Sequence, residues 1–299
     1  MREGQMSRNV WLLSEPTTNS QKKPYVPWWM YANVFSFDAP IIAVVWLYVF
    51  SWIWDVNYVE PLLPLVLALV VWSVYATDRL LDAKMRQTST FALRHRIHQQ
   101  YATQFTIAIV IAVVTALVIS LSILQWSIVQ TAMVPLSATT GFFILAFFSS
   151  SSQRVSYSKN LLAGYAFAWG VGAGLIGLLG LPQPINLLKL FAPEMLVFGL
   201  MCVINITAVD LWVKGSDELD DEGDELALTL PLTLLAIFSV LMMRTVHKEQ
   251  YHPFYISMLI AAALMYVVNR MRRRFTADFL RVIADVILLV AALFFFLMH

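Results

Sequence analysis

Nine apolar stretches, each long enough to cross a lipid bilayer, constrain this chain more than any other feature. A transmembrane helix needs about 20 consecutive apolar residues. The sequence is 59% hydrophobic and 13% charged, whereas a soluble domain carries about 25% charged residues. We therefore predict an all-α polytopic membrane protein with nine transmembrane helices. The predicted spans are residues 34–54, 61–80, 103–125, 127–149, 161–180, 193–213, 226–245, 253–271 and 276–298.

The positions of Lys and Arg predict how these helices are oriented. With the N-terminus in the cytosol, all but three of the 20 basic residues fall on the cytosolic side, as the positive-inside rule requires. Residues 1–30 are polar and lack the apolar core of a signal peptide, so we expect a cytosolic N-terminal segment. Residues 31–299 are expected to form a single transmembrane domain, with the C-terminus outside, in a bacterial inner membrane. The three basic residues that do not fall on the predicted cytosolic side are Lys189, Arg244 and Lys248.

Composition also excludes several classes of site. Cys202 is the only cysteine, which excludes a disulfide framework and a cluster of thiolate metal ligands. The formal net charge of +1 by itself says nothing about partners, because the distribution of charge matters rather than its sum. We expect no nucleic-acid partner. The lipid bilayer is the expected surroundings of the chain.

Two carboxylates stand at the cytosolic end of the second predicted span. Asp78 and Asp82 are four residues apart, so a helix places them on one face, one turn from each other. Like charges at this spacing repel each other, and a shared cation would relieve the repulsion. Alternatively, the pair caps a helix end against Arg79 and Lys84.

A second acidic cluster follows the sixth predicted span. Asp217 and Asp221 repeat the four-residue spacing, and Asp220 and Asp224 offer another such pair. Such a run is also typical of a solvated acidic loop. The predicted topology, however, places both acidic clusters on the cytoplasmic side. Two carboxylate pairs suit Mg²⁺, which binds oxygen ligands and is commonly held by carboxylates together with substrate phosphates.

Basic residues in the cytosolic loops can supply positive charge to a phosphate group. Arg154 and Lys159 lie in a short loop before the fifth predicted span, and Arg86 lies in the preceding cytosolic loop. Arginine binds phosphate oxygens through a bidentate fork. The alternative for these residues is ordinary positive-inside flanking of a membrane span.

Three stretches of the chain resemble the UbiA superfamily of intramembrane prenyltransferases. In "YATDRLLDAKMRQT", Asp78 and Asp82 match the two Asp positions of the first Asp-rich motif. In "SSQRVSYSKNLLAGYAFAW", Arg154 and the Gly-Tyr-Ala-Phe-Ala-Trp run resemble the family's step into helix five. In "VDLWVKGSDELDDEGDELALTLP", Asp217 and Asp221 match the second Asp-rich motif.

The chain also departs from the pattern of that family. Val74 stands where the first motif has Asn, and Gln153 stands where the family has Lys before the helix-five Arg. The second motif can also be aligned on Asp217, Asp220 and Asp224, or on Asp210 with Lys214 nearby. These departures leave open whether one or two metal ions are bound.

The resemblance implies a UbiA-like fold, with nine helices around a central cavity and both Asp-rich loops in the cytoplasm. It implies a Mg²⁺-dependent prenyltransferase that moves a prenyl chain from an isoprenyl diphosphate to a lipophilic acceptor, such as an aromatic or quinone precursor, through a carbocation-like state. The resemblance implies that the catalytic metal ligands are Asp78, Asp82, Asp217 and Asp221. It implies that Arg154 is also catalytic and that the diphosphate is bound by Arg154, Lys159, Arg86 and Arg79. The cavity residues that it implies are Tyr75, Tyr157 and Trp169.

Two other functions remain open at this point. A membrane terpene cyclase of the same superfamily would ionise the same diphosphate without an acceptor. A non-catalytic isoprenoid-binding protein would bind the substrate without turnover, although uncompensated pairs of like charges then destabilise the protein.

Overall fold

The computed structural model of the chain describes residues 27–85, 93–148, 157–180, 185–213 and 221–299. Within these ranges every regular element is a helix, which confirms the predicted all-α class. Most of the expected cytosolic N-terminal segment, residues 1–30, lies outside the described residues. The α-helices are α1 (Tyr31–Val34), α2 (Asp38–Ile53), α3 (Leu63–Met85), α4 (Leu93–Gln100), α5 (Ala102–Ser122), α6 (Trp126–Phe148), α7 (Tyr157–Leu178), α8 (Ile185–Leu188), α9 (Pro193–Val213), α10 (Asp221–Thr245), α11 (His252–Met271) and α12 (Ala277–Met298).

Eight helices of the described chain are long and apolar enough to cross a membrane, which confirms a multi-pass integral membrane protein. The first predicted span is different. α2 has 16 residues and covers about 24 Å, less than the bilayer core of about 30 Å. It reaches the required length only together with residues Trp28–Val34, from which it is bent by 82°.

The long helices run in alternating directions, so their ends form two layers. One layer contains the start of α2 and the ends of α3 and α9, together with the starts of α7 and α12. We call this layer the inner end, because the charge distribution predicts that it faces the cytosol. The other layer, which contains the loops before α3, α9 and α11, is called the outer end.

Aromatic residues fill the centre of the bundle. The rings of Trp46 on α2 and Phe198 on α9 lie 4.6 Å apart, and Phe50 lies 5.4 Å from Phe198. All three side chains and Phe254 of α11 are fully buried. Burying an aromatic side chain of this size removes about 150–250 Å² from contact with lipid or water, so these residues hold α2, α9 and α11 together.

Glycines of α7 allow it to approach its neighbours closely. A Cβ atom on Gly164 would lie 2.6 Å from the backbone nitrogen of Val203 on α9. A Cβ atom on Gly177 would lie 2.6 Å from Cα of Ile128 on α6. Small residues at helix contacts are typical of membrane bundles, where close packing replaces the hydrophobic effect between helices.

A buried carboxylate organises the outer end. Oε1 of Glu194, in the first turn of α9, accepts hydrogen bonds from Nε1 of Trp54 at 2.7 Å and from Nζ of Lys189 at 3.1 Å. Glu194 is buried, and Lys189 lies over the Trp54 ring at 5.1 Å. The carboxylate also lies at the positive end of the dipole of α9, which stabilises negative charge.

Candidate functional site

An ion pair between α3 and α7 lies at the inner end of the bundle. Nζ of Lys159 is 3.9 Å from Oδ1 of Asp78, and their side chains are 25% and 32% exposed. Nζ of Lys159 also lies 5.1 Å from the centre of the Phe142 ring on α6. The structure thus brings together two residues that the sequence predicted for one site, a metal-binding carboxylate and a diphosphate-binding lysine.

Asn160, which follows Lys159 on α7, contacts α9. Asn160 is buried, and its Nδ2 donates to Oδ2 of Asp210 at 2.9 Å and lies 3.3 Å from Oγ1 of Thr207. Asp210 and Thr207 are one turn apart on α9. The first turn of α7 therefore joins a carboxylate from α3 to a carboxylate from α9, through the adjacent residues Lys159 and Asn160.

Asp82 lies on α3 one turn from Asp78 and is partly buried, so the two carboxylates share a helix as predicted. Arg86, Arg154 and Asp217 lie outside the described residues. Asp221 is the first residue of α10, and its side chain is not described. The described part of the chain contains no group of three or more His, Cys, Asp or Glu residues placed to hold a metal ion.

Arg79, predicted to bind diphosphate, is buried and has other partners. Its Nη2 lies 3.2 Å from Oδ2 of Asp38, and its Nη1 donates to Oγ of Ser36 at 2.9 Å and to the backbone oxygen of Asn33. Nδ2 of Asn33 donates to the same Asp38 oxygen at 2.7 Å. The guanidinium therefore ties α3 to the bend that separates α1 from α2.

That bend explains why the first predicted span is interrupted. Ser36 has a φ of 62°, a left-handed conformation that costs about 1–2 kcal/mol for a residue with a Cβ atom. Ser36 is also fully buried. The hydrogen bonds from Arg79 offset this cost, so a residue from a distant part of the sequence stabilises the break.

A second buried arginine lies at the start of α12. Nη1 of Arg281 donates to Oδ1 of Asp278 at 2.7 Å, and the two side chains are 7% and 33% exposed. The buried Nε of Arg281 has no hydrogen-bond partner among the described residues. The sequence analysis did not assign Arg281 or Asn160 to the site, and it gave Asp210 only in an alternative alignment of the second Asp-rich motif. Each is a polar residue within a membrane-length helix and therefore a functional candidate.

The three aromatic residues predicted to line the cavity lie in different surroundings. Tyr75 is one turn from Asp78 on α3 and contacts the ring of Phe167 on α7, with the ring centres 6.4 Å apart. Trp169 donates from Nε1 to the backbone oxygen of Leu190 at 3.0 Å, near the outer end. Tyr157 is 54% exposed. Of these three residues, Tyr75 is the one whose ring packs between α3 and α7, the two helices that carry Asp78 and Lys159.

Comparison of the chain with protein-family models, with curated proteins and with solved structures finds no match. The resemblance to the prenyltransferase superfamily consequently stays a prediction from the three sequence stretches. The fold and the charged residues at the inner end define an all-helical, multi-pass membrane protein with a polar site inside its helix bundle.

Proposed function

We propose that the chain is a magnesium-dependent membrane prenyltransferase that moves a prenyl chain from an isoprenyl diphosphate to a lipophilic acceptor. The observation that carries this proposal is the partly buried Asp78–Lys159 pair at the inner end of the bundle. It joins α3 and α7, the same two helices that bring the rings of Tyr75 and Phe167 together. Ionisable residues within membrane-length helices mark functional sites. A substrate with a charged diphosphate and an apolar chain matches this combination of charged and aromatic groups.

The carboxylates of α3 suit the expected metal ion. Mg²⁺ is commonly bound through one or two carboxylates and the phosphates of a substrate, so it does not require a cage made only of protein ligands. Asp78 and Asp82, one turn apart on α3, would hold it, and the predicted ligands Asp217 and Asp221 would complete the site. When bound, magnesium neutralises the diphosphate and acts as a Lewis acid on the leaving group.

Lys159 would neutralise a further part of the diphosphate charge. The distance of 3.9 Å between its Nζ and Asp78 is longer than a hydrogen bond between charged groups. Lys159 can therefore turn toward a phosphate oxygen without giving up a short hydrogen bond. We expect Arg154 to assist from the preceding loop. Arg79, whose guanidinium is already engaged by Asp38 and Ser36, would instead position α3.

Aromatic rings continue from the charged residues into the bundle. The Tyr75 ring lies 6.4 Å from that of Phe167, which lies 6.4 Å from that of Phe198. The faces of aromatic rings attract cations, and an apolar surrounding excludes water from a reactive carbocation. Tyr75 and Phe167 would thus stabilise the allylic cation and protect it from hydrolysis.

The proposed topology has nine spans, with α2 and the bent segment before it as the first. In this arrangement the inner end, with Asp78, Lys159 and Asp210, faces the cytosol, where water-soluble magnesium is available. The clustering of basic residues on that side supports this orientation.

Release of diphosphate by the purified protein tests the function. Farnesyl diphosphate would be offered with and without Mg²⁺, and with a panel of aromatic and quinone-precursor acceptors, to the wild type and to Asp78→Asn and Lys159→Gln. Glu249→Gln, which removes an exposed carboxylate at the outer end, is the matched control. We expect Mg²⁺-dependent release that Asp78→Asn lowers by about 10²-fold or more, consistent with loss of a group that stabilises the transition state.

The products distinguish transfer from the other functions. A prenylated acceptor supports the proposal. Cyclic hydrocarbons formed without an acceptor would replace it by terpene cyclisation. If all four proteins bind farnesyl diphosphate and none releases diphosphate with any acceptor, a non-catalytic isoprenoid-binding protein is the better description.

A further inference from the structure

The segment Trp28–Val34 lies across the inner end of the bundle. It is bent by 82° from α2, and α2 packs against α3, α7 and α12 within the bundle. Transmembrane helices are tilted from the bilayer normal by only about 20° on average. A segment at nearly a right angle to α2 therefore runs along the membrane plane, at the level where α2 begins.

One side of this segment is anchored in the protein. Its buried residues are Met30, Asn33 and Val34, at the spacing of one helix face. Met30 and Val34 belong to a small apolar cluster, separate from the central core, whose other buried members are Leu80 of α3, Ile97 of α4 and Phe105 of α5. Arg79 of α3 donates to the backbone oxygen of Asn33. The segment is therefore held in place on the inner end of the bundle.

The other side of the segment presents aromatic rings outward. The exposed fraction is 82% for Trp28, 51% for Tyr31 and 36% for Phe35, the residue that follows the segment. The rings of Tyr31 and Phe35 are stacked, with their centres 6.2 Å apart. Trp and Tyr are enriched at the level of the lipid headgroups, where amphipathic rings contact both polar and apolar groups. An exposed aromatic face that runs along the membrane plane is typical of an interfacial segment.

The loop between α11 and α12 adjoins this segment and is strongly basic. The ring of Trp29 lies 6.2 Å from that of Phe279 on α12, and the Phe279 ring lies 4.9 Å from that of Phe275. Phe275 directly follows Arg273 and Arg274, whose side chains are exposed. The aromatic segment and a basic loop therefore lie side by side at the inner end.

The nearest carboxylate along the chain belongs to a different ion pair. Oδ1 of Asp278, in the first turn of α12, accepts a hydrogen bond from Nη1 of Arg281 at 2.7 Å. The loop itself, Arg272–Arg274, consists of three arginines. It therefore carries an excess of positive charge, which is complementary to anionic phosphate groups.

We propose that residues 28–35 and the loop Arg272–Arg274, together the headgroup surface, bind anionic phospholipids of the leaflet at the inner end. The exposed aromatic rings lie among the lipid headgroups, and Arg273 and Arg274 bind the lipid phosphates. Basic residues beside a membrane attract anionic lipids, and the guanidinium fork binds two phosphate oxygens at once. This inference does not depend on the proposed enzymatic function.

A fluorescent reporter on the segment measures the preference for anionic lipid. In a Cys202→Ala background, which removes the buried native thiol, Ala32→Cys at an exposed position would carry an environment-sensitive fluorophore. Short-chain phosphatidylglycerol and short-chain phosphatidylcholine would each be titrated against the labelled full chain in detergent. We expect half-saturation at a phosphatidylglycerol concentration at least about fivefold lower than that of phosphatidylcholine, from the attraction of a basic residue for anionic lipid.

Removal of two charges tests whether the loop causes this preference. Arg273→Gln/Arg274→Gln should raise the half-saturating concentration of phosphatidylglycerol by about fivefold or more and change that of phosphatidylcholine by less than about twofold. Arg244→Gln/Lys248→Gln removes the same charge from exposed positions near the outer end and is the matched control, which should change neither value by more than about twofold. Equal affinity of the unsubstituted surface for the two lipids, or equal losses in the two double variants, would overturn the inference.

The depth of the segment provides a test that is independent of lipid charge. The Ala32→Cys chain with a nitroxide label would be reconstituted in vesicles that contain phosphatidylglycerol, and collisions with oxygen and with a water-soluble nickel complex would be measured. We expect this label at the level of the lipid phosphates, and a label at Tyr48→Cys, an exposed position of α2, among the acyl chains. A label at Ala32→Cys that lies in bulk water would contradict the headgroup surface. Spin–spin coupling between chains at this position would show that a second copy covers the aromatic face, which would also overturn the inference.

Discussion

The guanidinium of Arg79 lies 3.2 Å from the carboxylate of Asp38, and both side chains are less than one-tenth exposed. The pair joins α3 to the first turn of α2, immediately after the bend at Ser36. A buried ion pair gains little over apolar residues of the same size, but removal of one partner leaves a buried charge without compensation. Arg79 is therefore expected to stabilise the fold and to position α3.

We expect Arg79→Ala to lower the free energy of unfolding by about 3–5 kcal/mol, because the carboxylate of Asp38 would remain buried without its partner. The double variant Arg79→Met/Asp38→Leu should lose less than Arg79→Ala, since neither charge remains. Unfolding each protein in mixed micelles that contain an increasing fraction of a denaturing detergent measures the differences in the free energy of unfolding. Arg244→Ala, at an exposed position of α10, should change stability by no more than about 0.5 kcal/mol. Equal stability of Arg79→Ala and Arg244→Ala would contradict this role.

Two glycines of α7 should respond in opposite directions to the same substitution. A Cβ atom on Gly164 would lie 2.6 Å from the backbone nitrogen and 2.9 Å from Cα of Val203, and backbone atoms cannot rotate away. We expect Gly164→Ala to separate α7 from α9 and to destabilise the protein by about 1–3 kcal/mol.

Gly170→Ala is the matched control for this prediction, because its new methyl group meets no atom within 4 Å. It should stabilise the protein by up to about 1 kcal/mol, since glycine inside a helix loses more conformational freedom than alanine. Thermal unfolding of both variants in one detergent checks the difference. A loss of stability in Gly170→Ala as large as in Gly164→Ala would show that the close approach at Val203 is not the cause.

The membrane-spanning helices could be predicted from the sequence, because burial in lipid requires long apolar stretches whatever the tertiary structure. The break at residues 35–37 could not, since it depends on hydrogen bonds from Arg79, 43 positions away from Ser36 in the sequence. The stretch around Ser36 is apolar enough to continue as a helix. Contacts with Arg79 of α3 and His98 of α4, both distant in the sequence, favour the left-handed conformation in the folded bundle.

The candidate site was predictable in part. Asp78 and Lys159 stood out as charged residues at the ends of predicted spans, and the structure places them in contact. The link from Asn160 to Asp210 spans 50 positions and needs the packing of α7 on α9 to become visible. A signal was nevertheless present, because Asn160 and Asp210 are polar residues inside otherwise apolar helices.

The buried carboxylate of Glu194, at the outer end, should stabilise the protein through its hydrogen bond with Trp54. Glu194→Ala removes the acceptor of the Trp54 Nε1–H group, and Trp54 is buried. We expect a loss of about 1–3 kcal/mol, the cost of leaving a buried donor unsatisfied. Glu194→Gln keeps a carbonyl acceptor for Trp54 and should therefore lose less. Denaturant unfolding of both variants, with Glu249→Gln as an exposed control, measures this order. An equal loss in the Gln and Ala variants would mean that the charge facing Lys189 dominates instead.

The orientation of the bundle can be tested with single cysteines in a Cys202→Ala background. Lys248 lies between α10 and α11, at the outer end, and Arg273 lies between α11 and α12, at the inner end. Because basic residues cluster on the inner side, we expect this side to face the cytosol. A membrane-impermeant maleimide added to intact cells should label Lys248→Cys, and it should label Arg273→Cys only after the membrane is permeabilised. The reverse pattern would place Asp78 and Lys159 outside the cell, away from cytosolic diphosphate substrates, and would contradict the proposed topology.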